Sequence, residues 1–223
     1  MMLSRNHRLT TGDRVLLRPP SSTRPALWWL KRPNGDLVVK DYRANGFLFR
    51  HVAGRFLVWR EVKALRRLRG IRGVPDLYGA PGGLVLVMEA IRGRPLEGLE
   101  REKRLGVSFF HRLRKLVDAF HARGAAHCDL KRAPNILLGE DGNPYIVDWS
   151  ASILSSEFRL FPLSLIYRRF LQDDINAVVK LQLRHRPDEI DSRTLARYHH
   201  KGTLEHMVRR LRDRARDLLQ RLA

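Results

Sequence analysis

"HCDLKRAPNILLGEDGNPYIVDWSAS", residues 127–152, is the stretch on which the reading of this chain turns. His127 leads to Asp129, Lys131 and Asn135; an apolar run and a turn follow, and a second aspartate, Asp148, closes the pattern. NILLGEDGNPYIVDW predicts a hairpin, two short apolar strands around residues 139–144. Phosphoryl transfer needs an aspartate that accepts or orients the acceptor hydroxyl, and hard oxygen ligands for magnesium. Asp129 suits the first task, and Asn135 with Asp148 the second.

Upstream, Leu105, Phe109, Leu113, Leu116, Val117 and Phe120 follow a helical pattern that Gly124 ends just before the quoted stretch. GRPLEGLEREKR ahead of them is loop-like, and GGLVLVMEA predicts a buried strand running into a connector at residues 88–93. Residues 56–69, FLVWREVKALRRLR, place Val58, Val62, Leu65 and Leu68 at helical spacing with charges opposite, and carry Glu61. ALWWLKR and LVVKDY, around Pro33-Asn34-Gly35-Asp36, predict a hairpin with Lys40 near the end of its second strand. Residues 1–25 are polar, contain prolines and read as a loop or a loose edge. Downstream, residues 160–183 and 204–222 have helical periodicity, the latter with Leu204, Met207, Leu211 and Leu218 on one side. The fold class is α+β: a strand-rich lobe over residues 1–89 and a mainly helical lobe over 90–223.

The chain has 223 residues, 43% of them hydrophobic, enough for a real core. Its one cysteine, Cys128, excludes an internal disulfide and a cysteine-based zinc site, and suits a reducing, cytoplasmic setting. No apolar run of about 7–15 residues follows the first charges and none approaches membrane-spanning length, so neither a signal peptide nor a membrane span is expected. Forty-three Lys and Arg against 23 Asp and Glu give a net charge of +20. Such a charge attracts nucleic acid, anionic membrane or phosphorylated substrates without choosing among them.

Lys40 alone reads as a solvated strand-end lysine, and Glu61 alone as half of an exposed helix pair with Arg60 or Arg66. Together, ahead of Asp129, they read differently, because a strand lysine can hold the α and β phosphates of a nucleotide while a helix glutamate holds the lysine. At these residues, and most specifically at "HCDLKRAPNILL" and "YIVDWS", the chain resembles the protein kinase-like superfamily, over residues 26–183. Within it the chain looks most like the small atypical branch that includes RIO-type kinases, the bacterial Bud32-like proteins and lipopolysaccharide-core Kdo/heptose kinases, and "GRFLVWREVKALRRL" and "GVPDLYG" look like the bacterial members.

The resemblance implies a two-lobe protein kinase-like fold, with an antiparallel-sheet N-lobe carrying one helix and a reduced helical C-lobe. It implies ATP between the lobes, adenine against the Met88 to Ala90 connector with Glu89 and Ala90 as contacts, and Mg2+ on Asn135 and Asp148. Asp129 would be catalytic, and Lys131 stands where serine/threonine kinases contact the transferring phosphoryl group, which favours a Ser/Thr acceptor. His127 is expected to hold the catalytic loop, residues 127–135.

The departures from the family pattern bear on function. The loop from Asp129 to Asn135 is one residue longer than HRDLxxxN, around Arg132-Ala133-Pro134. DWS replaces DFG, removing the glycine that lets that segment flip. No GxGxxG precedes Lys40, and Ser21, Ser22, Thr23 and Arg24 are the candidates to cover the phosphates in its place. No APE-like segment follows Asp148, so a peptide-docking platform is not expected. Asp173 and Asp174 resemble an acidic pair of the RIO-type helical lobe, and read equally as a helix cap or surface pair.

Three functions therefore stand side by side. The first is a protein Ser/Thr kinase; the second is a kinase for a lipopolysaccharide-core sugar hydroxyl. The third is a nucleotide- or RNA-binding module without catalysis, which the combination of Lys40, Glu61, Asp129 and Asp148 disfavours. The basic residues 204–222 pack on their own domain or, less favoured, lie against anionic membrane, which would place the protein peripherally at an inner membrane.

Overall fold

In the computed structural model, residues 14–158, 160 and 163–190, with 192, 195 and 198, are described. Five antiparallel strands form the first sheet: β1 (Arg14–Arg18), β2 (Ala26–Leu30), β3 (Leu37–Asp41), β4 (Leu77–Gly79) and β5 (Val85–Glu89), in the order β1-β2-β3-β5-β4. β2 and β3 are the expected hairpin, with Leu30 opposite Leu37 and Leu27 opposite Lys40. Gly35 turns it at φ 110°, a left-handed conformation open to glycine.

A strand lies where residues 1–25 read as loop. β1 escapes the alternating pattern because it is an edge strand, its Val15, Leu16 and Leu17 all about half exposed, so no buried face imposes a period of two. β4 and β6 (Gly93–Pro95) are only three residues each, too short to leave a pattern.

The helix over 56–69 is longer upstream than expected. α1 (Phe47–Phe49), a π-helical turn (Arg50–Gly54) and α2 (Arg55–Leu68) run on without interruption. Val58, Glu61, Val62, Ala64, Leu65 and Leu68 form the buried face of α2. The second lobe holds the short α3 (Leu99–Glu102), α4 (Val107–Ala122) and α5 (Leu163–His185). A two-strand ladder, β7 (Ala125–Ala126) with β10 (Ile153–Leu154), and a three-strand sheet in which β6 and β9 (Pro144–Ile146) flank β8 (Ile136–Gly139) complete it. Gly124 ends α4 at φ 76°, and the Ser155 hydroxyl sits where a Cβ would project, so glycine is needed there twice over. The helix pattern over 204–222 lies outside the described residues.

One apolar core runs through both lobes. Leu65 and Leu68 of α2 join Leu86 and Met88 of β5, then Phe110, Leu113, Val117 and Phe120 of α4, then Ile136, Ile146, Trp149, Val178 and Leu181. Each such side chain contributes about 1.5–3 kcal/mol when fully buried, so the two lobes are held in register by packing before any charge is considered.

Candidate active site

Strand alternation turns Lys40 of β3 inward, where it is 8% exposed, and the inner face of α2 delivers Glu61, 1% exposed, to the same place. Lys40 Nζ donates to both Glu61 oxygens, at 2.8 and 2.9 Å, and to Asp148 Oδ1 at 2.8 Å. Asp148 has φ 64°, a left-handed conformation uncommon outside glycine. Ser150 Oγ donates to the same Asp148 Oδ1, and the Trp149 N–H donates to Glu61 Oε1 at 3.2 Å.

Burial works against the Lys40 ammonium, but Glu61 and Asp148 outweigh it and hold its pKa above the usual lysine range. The Lys40 charge in turn holds the Asp148 carboxyl far below the usual carboxylate range, against the pull of burial. Burial pushes the Glu61 carboxyl up, with Lys40 opposing it. One ammonium thus faces two carboxylates, and the Asp148 side chain keeps 43% of its surface open. That surplus of negative charge, partly exposed, is chemically suited to a hard cation.

The quoted loop is held from behind. His127 Nδ1 lies 3.3 Å from the Asp129 N–H and accepts from it, so Nε2 carries the proton that reaches the Val147 carbonyl at 3.1 Å. Burial pushes the His127 pKa down, which keeps this ring neutral. Asp174 accepts from the backbone N–H of His127 at 2.7 Å and of Cys128 at 3.0 Å, and its Oδ2 lies 3.2 Å from His121 Nε2. The strained Cys128, φ 67°, is fixed by that carboxylate, and burial drives its thiol up to about 12, an inert group.

The additional loop residue does not displace Asn135. A 3-10 turn at Ala133–Asn135 absorbs it, and Asn135 Nδ2 donates to the Asp129 carbonyl at 3.0 Å and to Asp129 Oδ2 at 3.2 Å. The Val147 N–H donates to the Asn135 carbonyl at 2.9 Å. Val147 therefore joins the two halves of the site: Asp129 with Asn135 on one side and Asp148 with Lys40 on the other.

Other expected residues are more loosely placed. Lys131 is half exposed, its Nζ 3.9 Å from Asp173 Oδ2, and Arg132 Nε lies 3.4 Å from Asp129 Oδ1. Glu89 ends β5; its N–H donates to the Asp76 carbonyl and its carboxylate accepts from the Asp76 N–H. The Ala90 N–H donates to the Asp36 carbonyl at 3.0 Å. These amides serve the fold. Ser21, Ser22, Thr23 and Arg24 are exposed, and Asn45 Nδ2 ties the Ser21 and Arg24 carbonyls down.

Two features were not legible in advance. Asp174 is the anchor of the loop, whereas Asp173 pairs with Arg169 at 3.3 Å. Arg60 bonds both oxygens of Glu157 at 2.9 Å and the Ser152 carbonyl, and Lys63 adds a bond to Glu157 at 2.7 Å. Arg60 is thus the partner of a residue beyond Asp148, not of Glu61. Burial opposes the Glu157 charge, but Lys63, the Leu154 N–H and Arg60 hold its pKa below the ordinary glutamate range.

The model of the RIO domain family matches residues 40–195, a span that contains Lys40, Glu61, Asp129, Asn135, Asp148 and Asp174. Among curated proteins, CBL-interacting serine/threonine-protein kinase 12 of Arabidopsis thaliana is 31% identical over 129 residues, 55% of this chain and 25% of its own length. CBL-interacting serine/threonine-protein kinase 15 of the same plant is 36% identical over 107 residues, 45% of this chain and 25% of its own length. CBL-interacting protein kinase 12 of Oryza sativa subsp. japonica is 32% identical over 108 residues, 46% of this chain and 20% of its own length. The chain spans a quarter or less of the length of these relatives, so they bear on its kinase-like part and not on their remaining segments. The match over residues 40–195, covering well over half the chain, makes this protein a member of the RIO domain family, within the protein kinase-like superfamily.

Proposed function

We propose that this protein is an ATP- and Mg2+-dependent phosphotransferase that moves the γ-phosphoryl group to serine or threonine hydroxyls of protein. The observation that carries the reading is Lys40, buried and held at 2.8–2.9 Å by Glu61 and Asp148 together, with the Asp129–Asn135 pair joined to Asp148 through Val147.

In this mechanism Lys40 presents its ammonium to the α and β phosphates, and Glu61 keeps it from following Asp148. Asp148, with Asn135, would hold Mg2+, which supplies charge neutralisation of the triphosphate when bound. No three-residue cluster of His, Cys, Asp or Glu able to hold a metal occurs among the described residues, and none is needed where phosphates provide the remaining ligands. Asp129 accepts and orients the acceptor hydroxyl, and the Asn135 amide fixes the carboxylate that does so. Lys131, on the outer side of the loop, supplies positive charge to the transferring group. The contribution is positioning and electrostatics, with no covalent intermediate.

A second reading, transfer to a lipopolysaccharide-core sugar hydroxyl, is supported by Lys131, Lys180 and Arg184, which with Leu130, Ala133, Ala177 and Leu181 border a small hollow beside the loop and bring three cations to its rim. Magnesium-dependent transfer from γ-labelled ATP, wild type beside Asp129→Ala, separates the readings. Label on protein that the variant loses supports the first, and label on deacylated core oligosaccharide the second. ATP binding without transfer to either would leave a nucleotide-binding module, and no ATP binding would overturn the kinase reading.

A further inference from the structure

α2 is apolar on two faces, and only one of them is used by the fold. Its inner face carries Val58, Val62, Leu65 and Leu68 into the core. On the outside, Leu48, Val52, Phe56 and Trp59 recur at spacings of four, four and three, which aligns them as one stripe along the continuous α1–α2 helix. Leu48 is 76% exposed and Trp59, the least exposed of the four, 51%; Phe47 beside them is 74% exposed. Large apolar side chains concentrated this way on a water-facing helix mark a contact surface, since each would otherwise be replaced by a polar residue without cost to the core.

The charges around the stripe select what it meets. Between Asp41 and Glu61 the chain carries Arg43, Arg50, Arg55 and Arg60 and no acidic residue; Arg43 is paired with Asp41, and Arg60 and Lys63 with Glu157, so Arg50 and Arg55 carry the uncompensated charge of this stretch among the described residues. The cations rim the aromatic rings: Lys63 Nζ lies 5.0 Å from the Trp59 ring centre, and the Arg60 and Arg50 guanidinium carbons 5.9 and 5.7 Å from those of Phe56 and Phe47. The stripe is the outer face of a continuous helix, which suits a broad apolar phase. Aromatic and aliphatic anchors bordered by arginine and lysine, in a chain of net charge +20, fit the boundary between the headgroups and acyl chains of an anionic bilayer.

We propose that the outer face of α1 and α2, through Leu48, Val52, Phe56 and Trp59, docks the protein peripherally on anionic membrane. No helix among the described residues is long and apolar enough to cross a membrane, and the attachment proposed is interfacial. The proposal does not depend on catalysis, because none of these four residues touches Lys40, Glu61, Asp129 or Asp148 through a hydrogen bond or ion pair described above.

The test is co-sedimentation of the full chain with vesicles of phosphatidylglycerol and phosphatidylcholine in equal parts, beside vesicles of phosphatidylcholine alone. Binding to the anionic vesicles is expected to fall about tenfold or more in Phe56→Ser/Trp59→Ser, and likewise in Leu48→Ser/Val52→Ser, with the charge unchanged. Asp148→Ala should bind as the wild type does, which separates this surface from the phosphotransferase reading. Since the substituted side chains are half or more exposed, circular dichroism and melting are expected to match the wild type. Equal binding by both double variants would overturn the proposal, assigning attachment to net charge or to residues 204–222. It would equally be overturned if the wild type stayed in the supernatant, or if it self-associated and the variants did not.

Discussion

Two ionic clusters share α2, and they differ chiefly in water. At Glu61 the helix meets Lys40 and, through it, Asp148, with Glu61 and Lys40 almost wholly removed from solvent. One residue before and two after, Arg60 and Lys63 meet Glu157 with side chains between 14% and 35% exposed. Both join α2 to the segment around Asp148. The first does so where an unpaired charge is costly, and it ends on a carboxylate left open for chemistry; the second lies where water offsets much of any loss. Similar bonds thus make a partly open charged centre in one place and a brace in the other.

Substitutions at the two clusters should therefore separate. Lys40→Ala leaves the buried Glu61 and the partly open Asp148 without their cation and is expected to lower stability by about 3–5 kcal/mol, chiefly through Glu61, as well as to abolish transfer. Asp148→Ala keeps the Lys40–Glu61 pair, so the melting temperature should stay near the wild type while transfer falls by about a thousandfold or more. Denaturant melts beside single-turnover assays distinguish the two, and an unfolded Asp148→Ala would make that residue part of the scaffold. At the brace, Glu157→Gln is expected to cost about 1–2 kcal/mol and to reduce kcat by about tenfold with KM for ATP little changed, because Glu61 is held less firmly while its bonds persist. An unchanged kcat would mean that core packing alone positions α2.

The smallest effect belongs to the hairpin after the loop, far from both clusters. Asp141 accepts from the Asn143 N–H and Nδ2, the Tyr145 hydroxyl and Arg72, and the Asn143 amide foremost among these holds its pKa at about 2 instead of 3.8. A carboxyl whose pKa is depressed on folding contributes stability that is present above its unfolded value and is lost as the pH falls through the folded one. The contribution should fade between pH 3.8 and about 2, and Asp141→Asn should flatten the slope of stability with pH across that window. Urea midpoints measured at successive pH values would show it, and an unchanged slope would transfer the acid sensitivity to other carboxylates.

The order Lys40, Glu61, Asp129, Asn135, Asp148 was legible in the sequence because each stands in a strong local pattern: a strand end, an amphipathic helix, a loop, a hairpin. β1, β4 and β6 were not, since short or exposed edge strands bury too little to impose alternation. Asp174 could not be told from Asp173 because two of its partners are backbone amides, which carry no residue type to match, and the third, His121, stands 53 positions away. Glu157 and Arg60 lie 97 positions apart, and nothing local to either names the other. The outward stripe was not legible because its first half, Leu48 and Val52, lies in a stretch with no side-chain cap at its start and with Gly54, which packs on Tyr42, at its end.

Trp149 carries a pharmacological consequence. Its indole is 1% exposed, stands edge-on to Phe120 at 5.1 Å and to His127 at 4.7 Å, and donates from Nε1 to the Ile146 carbonyl. An inhibitor designed to lodge in a cavity behind Asp148 would have to expel this ring, a loss of about 3–5 kcal/mol before any contact of its own is made. Compounds of that shape should pass this protein by, and selective ligands for it are better sought among those that occupy the open face of Asp148.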